Sequence, residues 1–408
     1  MNRNCMMDLV EWKENCCQNP LLLCGTKGTG KTYLAIDFAK NNYSQYLYLN
    51  FELNQVAREK FSNEILGGKN ISEIVADFFQ VEPSYLSGVL IVFDEITFCP
   101  PLYRALEHYH EAAVLAICSQ FPGKEAYDCF QVVCLYPLGF DEFLSAVGNE
   151  WYKDIIKGHF ATEQPIPDIV HQELLALFEE YLVVGGMPAS INEYLYSNST
   201  DNVAEVLLGV MTRIRHSLEA TLEPSDASKA IQVLDVLPKQ LARENKKFRF
   251  NTIRKGVTYA LYQDSICALE ESGVVLKLEQ ENKENHFKLY LPDVGMLSAT
   301  FGGQMNETIR KALIENYVMQ TLHQSKEYSL SFWESEAQAK VEFVLCRKGI
   351  KTPVELRTSS NSKGKSIGAY YANHSNNNGE RFLRVGDENF YSTDVLKYIP
   401  IYALFCMI

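Results

Sequence analysis

Long apolar runs are missing from this 408-residue sequence. No stretch reaches the roughly 18 apolar residues a membrane helix needs, and no charged-then-apolar leader with a small-residue cleavage site opens the chain, so neither spanning nor secretion is expected. Paired-cysteine signatures are missing too. The 11 cysteines, Cys5, Cys16, Cys17, Cys24, Cys99, Cys118, Cys129, Cys134, Cys267, Cys346 and Cys406, form no CxxC pair and no Cys/His grid. That excludes a zinc-site reading and points to reduced thiols in a cytoplasmic protein. Basic charge is scarce. Lys and Arg number 38 against 51 Asp and Glu, a net charge of −13, so a general nucleic-acid-binding coat is excluded while a local basic patch is not.

What is present is globular: 47% hydrophobic and 22% charged residues, in a chain long enough for about two to four domains. The apolar run Pro20–Cys24 is a short buried-strand pattern, and "GTKGTGKT" follows at once, which is GxxxxGK[ST] in full. Leu34, Ala35, Phe38 and Ala39 then recur at helical spacing, giving the strand, glycine loop and helix order that the motif requires. Gly25, Thr26, Lys27, Gly28, Thr29, Gly30, Lys31 and Thr32 are therefore candidate ATP-binding residues. The glycines let backbone N–H groups and the helix N-terminus face phosphate oxygens. Lys31 would meet the β- and γ-phosphates, and the Thr32 hydroxyl would ligate Mg²⁺.

Val89–Phe93 is a second apolar run, ending in Asp94-Glu95. Asp94 is a candidate for the Mg²⁺ shell and Glu95 for orienting the attacking water. Further buried-strand candidates are Tyr46–Phe51, Ala113–Ile117 and Gln131–Leu135, which alternate with helices as in a doubly wound parallel sheet. Ser119 lies just past one of them, where a polar residue could sense the γ-phosphate or be an ordinary turn serine. Between Arg58 and Arg213 the only arginine is Arg104. An arginine finger would have to come from Arg213, Arg215 or a neighbouring subunit of a homo-oligomer, or else hydrolysis is slow.

The segments "NPLLLCGTKGTGKT", "YLYLNFEL", "VLIVFDEI", "LYPLGFDEFL", "YLVVGGMPASINEY", "QLARENKKFRF", "HFKLYLPDVGML" and "YSLSFWESEAQAKVEFVL…TPVELR" together resemble those of prokaryotic AAA-type ATPases that carry a C-terminal winged helix and a restriction-endonuclease-like domain of unknown function. The likeness runs over nearly the whole chain in the family's order. It departs at Thr97, where the family usually has Gln, and at "DCFQVV", where the family usually has a Gly-Arg before "LYPL". The fold it implies is α/β: a parallel-sheet P-loop ATPase core over residues 1–145, a helical lid over 146–205, a winged-helix domain over 206–295 and a restriction-endonuclease-like domain over 296–408. His171, on the lid segment "DIVHQELLALFEEYLVV", reads as a solvated helix-face histidine.

The only strongly basic stretch lies in the winged-helix region, with Lys246, Lys247, Arg249, Arg254 and Lys255 as candidate DNA backbone contacts. The helix after it, up to Gly273, carries Asp264, Glu270 and Glu271 with no Lys or Arg, unlike a helix that faces phosphates. Nonspecific DNA contact by the loop and plain domain packing both remain open.

"KVEFVLCRKGIKTPVELR" (Lys340 to Arg357) alternates as two strands about Lys348-Gly349. A two-residue turn there sets Glu342 across from Glu355 and Pro353 across from Val344, on alternating faces. The carboxylates would be about 5 Å apart at Cβ. Such a pair needs a divalent ion between them or a cation such as Arg357 beside them. In the resembled nuclease fold, Glu342 stands where an aspartate is usual, Glu355 matches the glutamate, Arg357 replaces a lysine and Glu315 is the helix carboxylate. The Arg-for-Lys change favours a retained but inactive centre. Two readings follow: an ATP-dependent switch whose C-terminal part binds a protein partner or DNA without cutting, which is preferred, or an ATP-controlled Mg²⁺-dependent DNA nuclease.

Overall fold

The computed structural model describes residues 3–15, 19–107, 109–121, 126–335, 339–357, 365–374 and 381–408. Cys16 and Cys17 lie outside them. The chain divides into two compact units, Asn2–Tyr136 with Glu270–Gly273, and Pro137–Leu269 with Val274–Ile408.

In the first unit, five short apolar runs become strands: β1 (Leu21–Cys24), β2 (Tyr46–Asn50), β3 (Leu90–Asp94), β4 (Ala113–Cys118) and β5 (Gln131–Cys134). All pairings are parallel, in the order β2-β3-β4-β1-β5. The runs are apolar throughout because helices cover both faces. Leu22, Ile91, Phe93, Val114 and Ala116 pack on one face with Ala57, Phe61, Leu102 and Leu106. Leu21, Leu23, Leu90, Val92, Leu115 and Ile117 pack on the other with Leu9, Trp12, Leu34 and Phe38. Because the strands are parallel, the chain emerges from β1, β3 and β4 along one sheet edge, which gathers Gly25, Glu95 and Ser119.

The second unit holds an eight-stranded sheet of β6 (Leu276–Gln280), β7 (Phe287–Tyr290), β8 (Ser329–Glu334), β9 (Lys340–Arg347), β10 (Ile350–Arg357), β11 (Phe382–Gly386), β12 (Tyr391–Ser392) and β13 (Leu396–Pro400). Their order is β12-β13-β11-β10-β9-β8-β6-β7. The hairpin expected as a wing, β6–β7, continues the C-terminal strands through parallel pairing of Glu279 with Ser331 and Gln280 with Phe332. One hydrophobic core joins helices such as Asp168–Val184, Val203–Thr221 and Glu307–Leu322 to this sheet. The boundaries expected at 205/206 and 295/296 therefore fall inside one core. Among the described residues, no single helix is long and apolar enough to cross a membrane.

Three of the family-like segments meet at a buried knot in this unit. Leu138 donates its N–H to the Gly186 carbonyl at 2.7 Å, and a Cβ on Gly186 would stand 2.1 Å from the Leu138 oxygen. Asp293 caps the helix Val294–Thr300 by accepting from Met296 N at 3.0 Å, and its other oxygen accepts from Gly186 N at 2.6 Å. Burial pushes the Asp293 carboxyl up to about 6, against the pull of those N–H groups. His171 departs from expectation. It is buried, with Nδ1 2.7 Å from the Tyr402 hydroxyl and Nε2 3.1 Å from the Asp387 carbonyl, because its helix face packs on the chain's last turn rather than on water. Replacing Asp293 by Ala strips the cap and leaves the Gly186 N–H buried without a partner. Urea unfolding should then show a loss of about 2–4 kcal/mol.

Candidate functional site

The loop after β1 turns through Gly25 (φ 151°), Gly28 (φ 92°) and Gly30 (φ 95°) into the helix Lys31–Asn42. Gly25 has no room for a side chain, since a Cβ there would lie 2.2 Å from the Leu135 carbonyl oxygen. The Lys31 ammonium is buried and folds back on its own loop. It donates to the Gly25 carbonyl at 2.8 Å, the Thr26 carbonyl at 3.2 Å and Ser119 Oγ at 3.2 Å. Ser119 passes the contact on, donating to Glu95 Oε1 at 2.5 Å. Burial lowers the Lys31 pKa and raises that of Glu95, and each charge opposes the shift of the other. Glu95 also sits in the left-handed backbone region at φ 52°, a conformation that costs roughly 1–3 kcal/mol and concentrates at functional sites.

Asp94 Oδ2 accepts three hydrogen bonds: from Thr32 Oγ1 at 2.8 Å, Tyr48 hydroxyl at 2.7 Å and Asn50 Nδ2 at 3.1 Å. Its Oδ1 is buried and has no partner among the described residues. A carboxylate oxygen left open beside the Thr32 hydroxyl, in a loop that offers backbone N–H groups, fits the Mg²⁺ of a nucleotide complex. The structure thus brings Lys31, Thr32, Asp94, Glu95 and Ser119 together. Sequence reasoning missed Tyr48 and Asn50, whose only signal was their place at the end of the strand beside β3. It also missed Arg3, which donates from Nη1 to the Thr29 carbonyl at 3.0 Å and from Nη2 to the Tyr136 carbonyl. Of the finger candidates, Arg215 is held by Asp235 at 2.7 Å; Arg104, which is not one of them, lines a cavity of about 490 Å³ with Thr97, Tyr103 and Gln120.

The four nuclease-like residues are not gathered into one cluster but fall into two pairs, Glu342 near Glu315 and Arg357 near Glu355. The hairpin has the expected register, with Pro353 opposite Val344 and Val354 opposite Phe343. Lys348 (φ 50°) and Gly349 (φ 83°) make the expected two-residue turn. The alternation, however, breaks in β9. Against β8 the register shifts between Ser331–Val344 and Trp333–Val341, so β9 carries an extra residue there, and Val341 and Val344 both face Trp333, Ile367 and Tyr370. This bulge turns Glu342 with Phe343 toward Glu315 and Tyr290. Glu355 stays on the opposite face from Val354. It accepts from Arg384 Nε at 2.8 Å and Nη2 at 2.7 Å, while Arg357 Nε stands 3.9 Å away. Arg357, expected to neutralise Glu342 or Glu355, keeps only this long ion pair with Glu355; the closer cation is Arg384, the neighbour of Glu355 across the parallel β10–β11 pairing.

Glu315 is answered inside its own cluster. Lys246 lies 2.8 Å and Lys288 2.9 Å from its oxygens, and the Tyr290 hydroxyl donates at 2.6 Å. Burial alone would raise the Glu315 pKa, but the two ammonium groups more than reverse it and hold the carboxyl well below the usual range. Glu342 goes the other way, raised by burial and by Glu315. Lys247 pairs with Glu334 at 2.6 Å. Two of the five residues expected to touch DNA backbone are thus committed to internal carboxylates. Arg249, Arg254 and Lys255 form no ion pair among the described residues. No group of three or more His, Cys, Asp or Glu side chains among the described residues suits a metal ion.

Residues 18–144 match a family described as an AAA domain. Residues 175–307 and 310–404 match two families described as domains of unknown function, DUF8612 and DUF4143. No curated protein matches the chain. Among solved structures it is similar to the Walker-type ATPase PABY2304 of Pyrococcus abyssi, at 15% identity, 72% of this chain, 93% of that chain and a TM-score of 0.42. It is also similar to the RuvB Holliday junction branch migration motor of Thermotoga maritima, at 14% identity, 71% and 92% coverage and a TM-score of 0.32. The AAA-domain match and the loop geometry together identify a P-loop ATPase core.

Tyr48→Phe removes one donor from Asp94 and should raise the Mg²⁺ concentration for half-maximal ATP binding by about tenfold, the equivalent of one charge-assisted hydrogen bond. Magnesium titration of ATP binding checks it. Because the Glu315 pKa is depressed on folding, its contribution is fully present above the unfolded value of about 4.5 and is lost as pH falls below it. Glu315→Gln should flatten that acid limb and, at neutral pH, cost about 3–5 kcal/mol by leaving buried Lys288 and half-buried Lys246 unpaired. Unfolding at several pH values reads both effects.

Proposed function

We propose that the chain is an ATP-driven switch: its P-loop unit binds MgATP and hydrolyses it slowly, and its second unit engages a protein partner or DNA without cutting. The observation that carries the reading is the Lys31–Ser119–Glu95 chain of hydrogen bonds beside the open oxygen of Asp94.

A phosphate entering the loop competes with the Gly25 and Thr26 carbonyls for the Lys31 ammonium. Phosphate is the stronger acceptor because it is charged. Movement of Lys31 toward it would loosen the contact with Ser119, and Ser119 holds the carboxylate that would orient water. Nucleotide state is thereby felt at Glu95 and Ser119. Gly25 to Thr32 would cradle the phosphates, with Thr32 and Asp94 beside the metal ion. When bound, Mg²⁺ supplies charge neutralisation between the phosphate oxygens. Slow turnover follows from two features. Glu95 is tied to Ser119, and Arg215 is tied to Asp235, so no arginine finger is offered from that pair.

Binding without cleavage is favoured for the second unit because Glu342 and Glu355 turn to opposite faces and Arg384 neutralises Glu355. The alternative, an ATP-controlled nuclease, would need those carboxylates to share one ion. DNA contact by the basic loop would rest on Arg249, Arg254 and Lys255, since Lys246 and Lys247 answer Glu315 and Glu334.

Purified protein should hydrolyse ATP at a low rate that Lys31→Ala abolishes, and it should leave duplex DNA intact in Mg²⁺ or Mn²⁺. Turnover unchanged in Lys31→Ala would remove the site assignment. Metal-dependent cleavage lost in Glu355→Ala would restore the nuclease reading.

A further inference from the structure

Three cysteines lie in one row beneath the P-loop. In the sheet, Cys24 of β1 is level with Cys118 of β4 on one side and with Cys134 of β5 on the other. Residues level across parallel strands point to the same face, and all three belong with the cluster of Leu22, Ile91 and Phe93. Their surroundings differ. Cys118 is turned away, its Sγ 3.0 Å from the Gln120 carbonyl, and burial pushes its thiol up to about 12. The Cys24 and Cys134 sulfurs are 3.0 Å apart, closer than the sum of two sulfur radii and within about 1 Å of a covalent S–S bond. Cys24 is fully buried, whereas Cys134 is partly exposed.

We propose that Cys24 and Cys134 form an oxidative modification site: a hydroperoxide converts the pair to a disulfide, and the disulfide disables the P-loop. Cys134, the more accessible thiol, attacks the peroxide oxygen, the O–O bond breaks, and sulfenic acid and water form with H₂O₂ as the two-electron oxidant. Cys24 then attacks the sulfenic sulfur, the S–O bond breaks and the second water leaves, so that two thiols and one H₂O₂ give one disulfide and two waters. A thiol reductant reverses the change by exchange. Such bonds in a reducing compartment are transient and regulatory rather than structural.

The coupling to the loop is short. Cys24 directly precedes Gly25, and the Gly25 carbonyl is the nearest acceptor of the Lys31 ammonium at 2.8 Å. The Cys24 carbonyl accepts from Leu135 N at 2.7 Å. The Leu135 carbonyl leaves no room for even a methyl group on Gly25. Drawing the two sulfurs together moves Cys24 against this tight contact, and the displacement has Gly25 and Lys31 as its next atoms. The consequence for nucleotide rests on the reading of the loop given above, while formation of the bond does not.

The test uses the full chain, reduced and desalted, then treated with excess hydrogen peroxide. Alkylation, digestion and mass spectrometry map the cross-link, and a fluorescent ATP analogue with Mg²⁺ reports affinity before oxidation, after it and after dithiothreitol. The expected result is a Cys24–Cys134 cross-linked peptide and a loss of affinity of at least tenfold that dithiothreitol restores. Cys134→Ser and Cys134→Ala should bind like the reduced wild type and keep their affinity through peroxide. Absence of the cross-link overturns the site. A cross-link without loss of affinity, or an equal loss in both variants, overturns its coupling to the loop. Reduced wild type that binds no nucleotide sinks the P-loop reading instead, and the peptide map still decides the thiol pair.

Discussion

An ammonium group removed from water must be answered by something, and in the first unit nearly every unusual feature answers the one on Lys31. The loop turns back so that two of its own carbonyls can accept from it, and this requires glycine at position 25, where the Leu135 backbone is too close for any Cβ. Ser119 is held because it bridges Lys31 to Glu95, and Glu95 takes a left-handed backbone to reach the bridge. These bonds are good in the absence of an anion and poorer than those a phosphate could offer. The arrangement therefore stores a preference for a ligand of opposite charge in the position of one side chain.

The second unit solves a related problem differently. Several of its carboxylates are given cations from other parts of the chain: buried Glu315 takes Lys246 and Lys288, buried Glu355 takes Arg384, and half-buried Glu163 takes Arg381 and Lys397. Burying such groups is tolerable only with partners and hydrogen bonds at short range. These ion pairs join helix, loop and sheet within the second unit.

Much of this was legible in the sequence, and the exceptions share a cause. The five strands of the first unit were readable because strands buried on both faces are apolar at every position, and their order with the glycine loop fixed the site at one sheet edge. The β9–β10 register was readable because a two-residue turn at Lys348-Gly349 determines every pairing beyond it. The faces of Glu342 and Glu355 were not, because a period of two holds only until a bulge, and the bulge in β9 is set by packing of Val341 and Val344 against Trp333 and Tyr370. Arg384, Tyr48, Asn50 and Arg3 escaped notice because each acts across a large sequence separation, where spacing says nothing. His171 was misread for the same reason, since Tyr402 and Asp387 lie at the far end of the chain.

The claim on which the account depends is that the Lys31 loop and Asp94 form one MgATP site. Calorimetric titration of ATP into the full chain, once with Mg²⁺ and once with a chelator, tests it directly. The account predicts saturable binding to one site per chain that weakens markedly in the chelator and loses this metal dependence in Asp94→Ala. Absence of binding, or binding of equal strength with and without Mg²⁺ in the wild type, would contradict it.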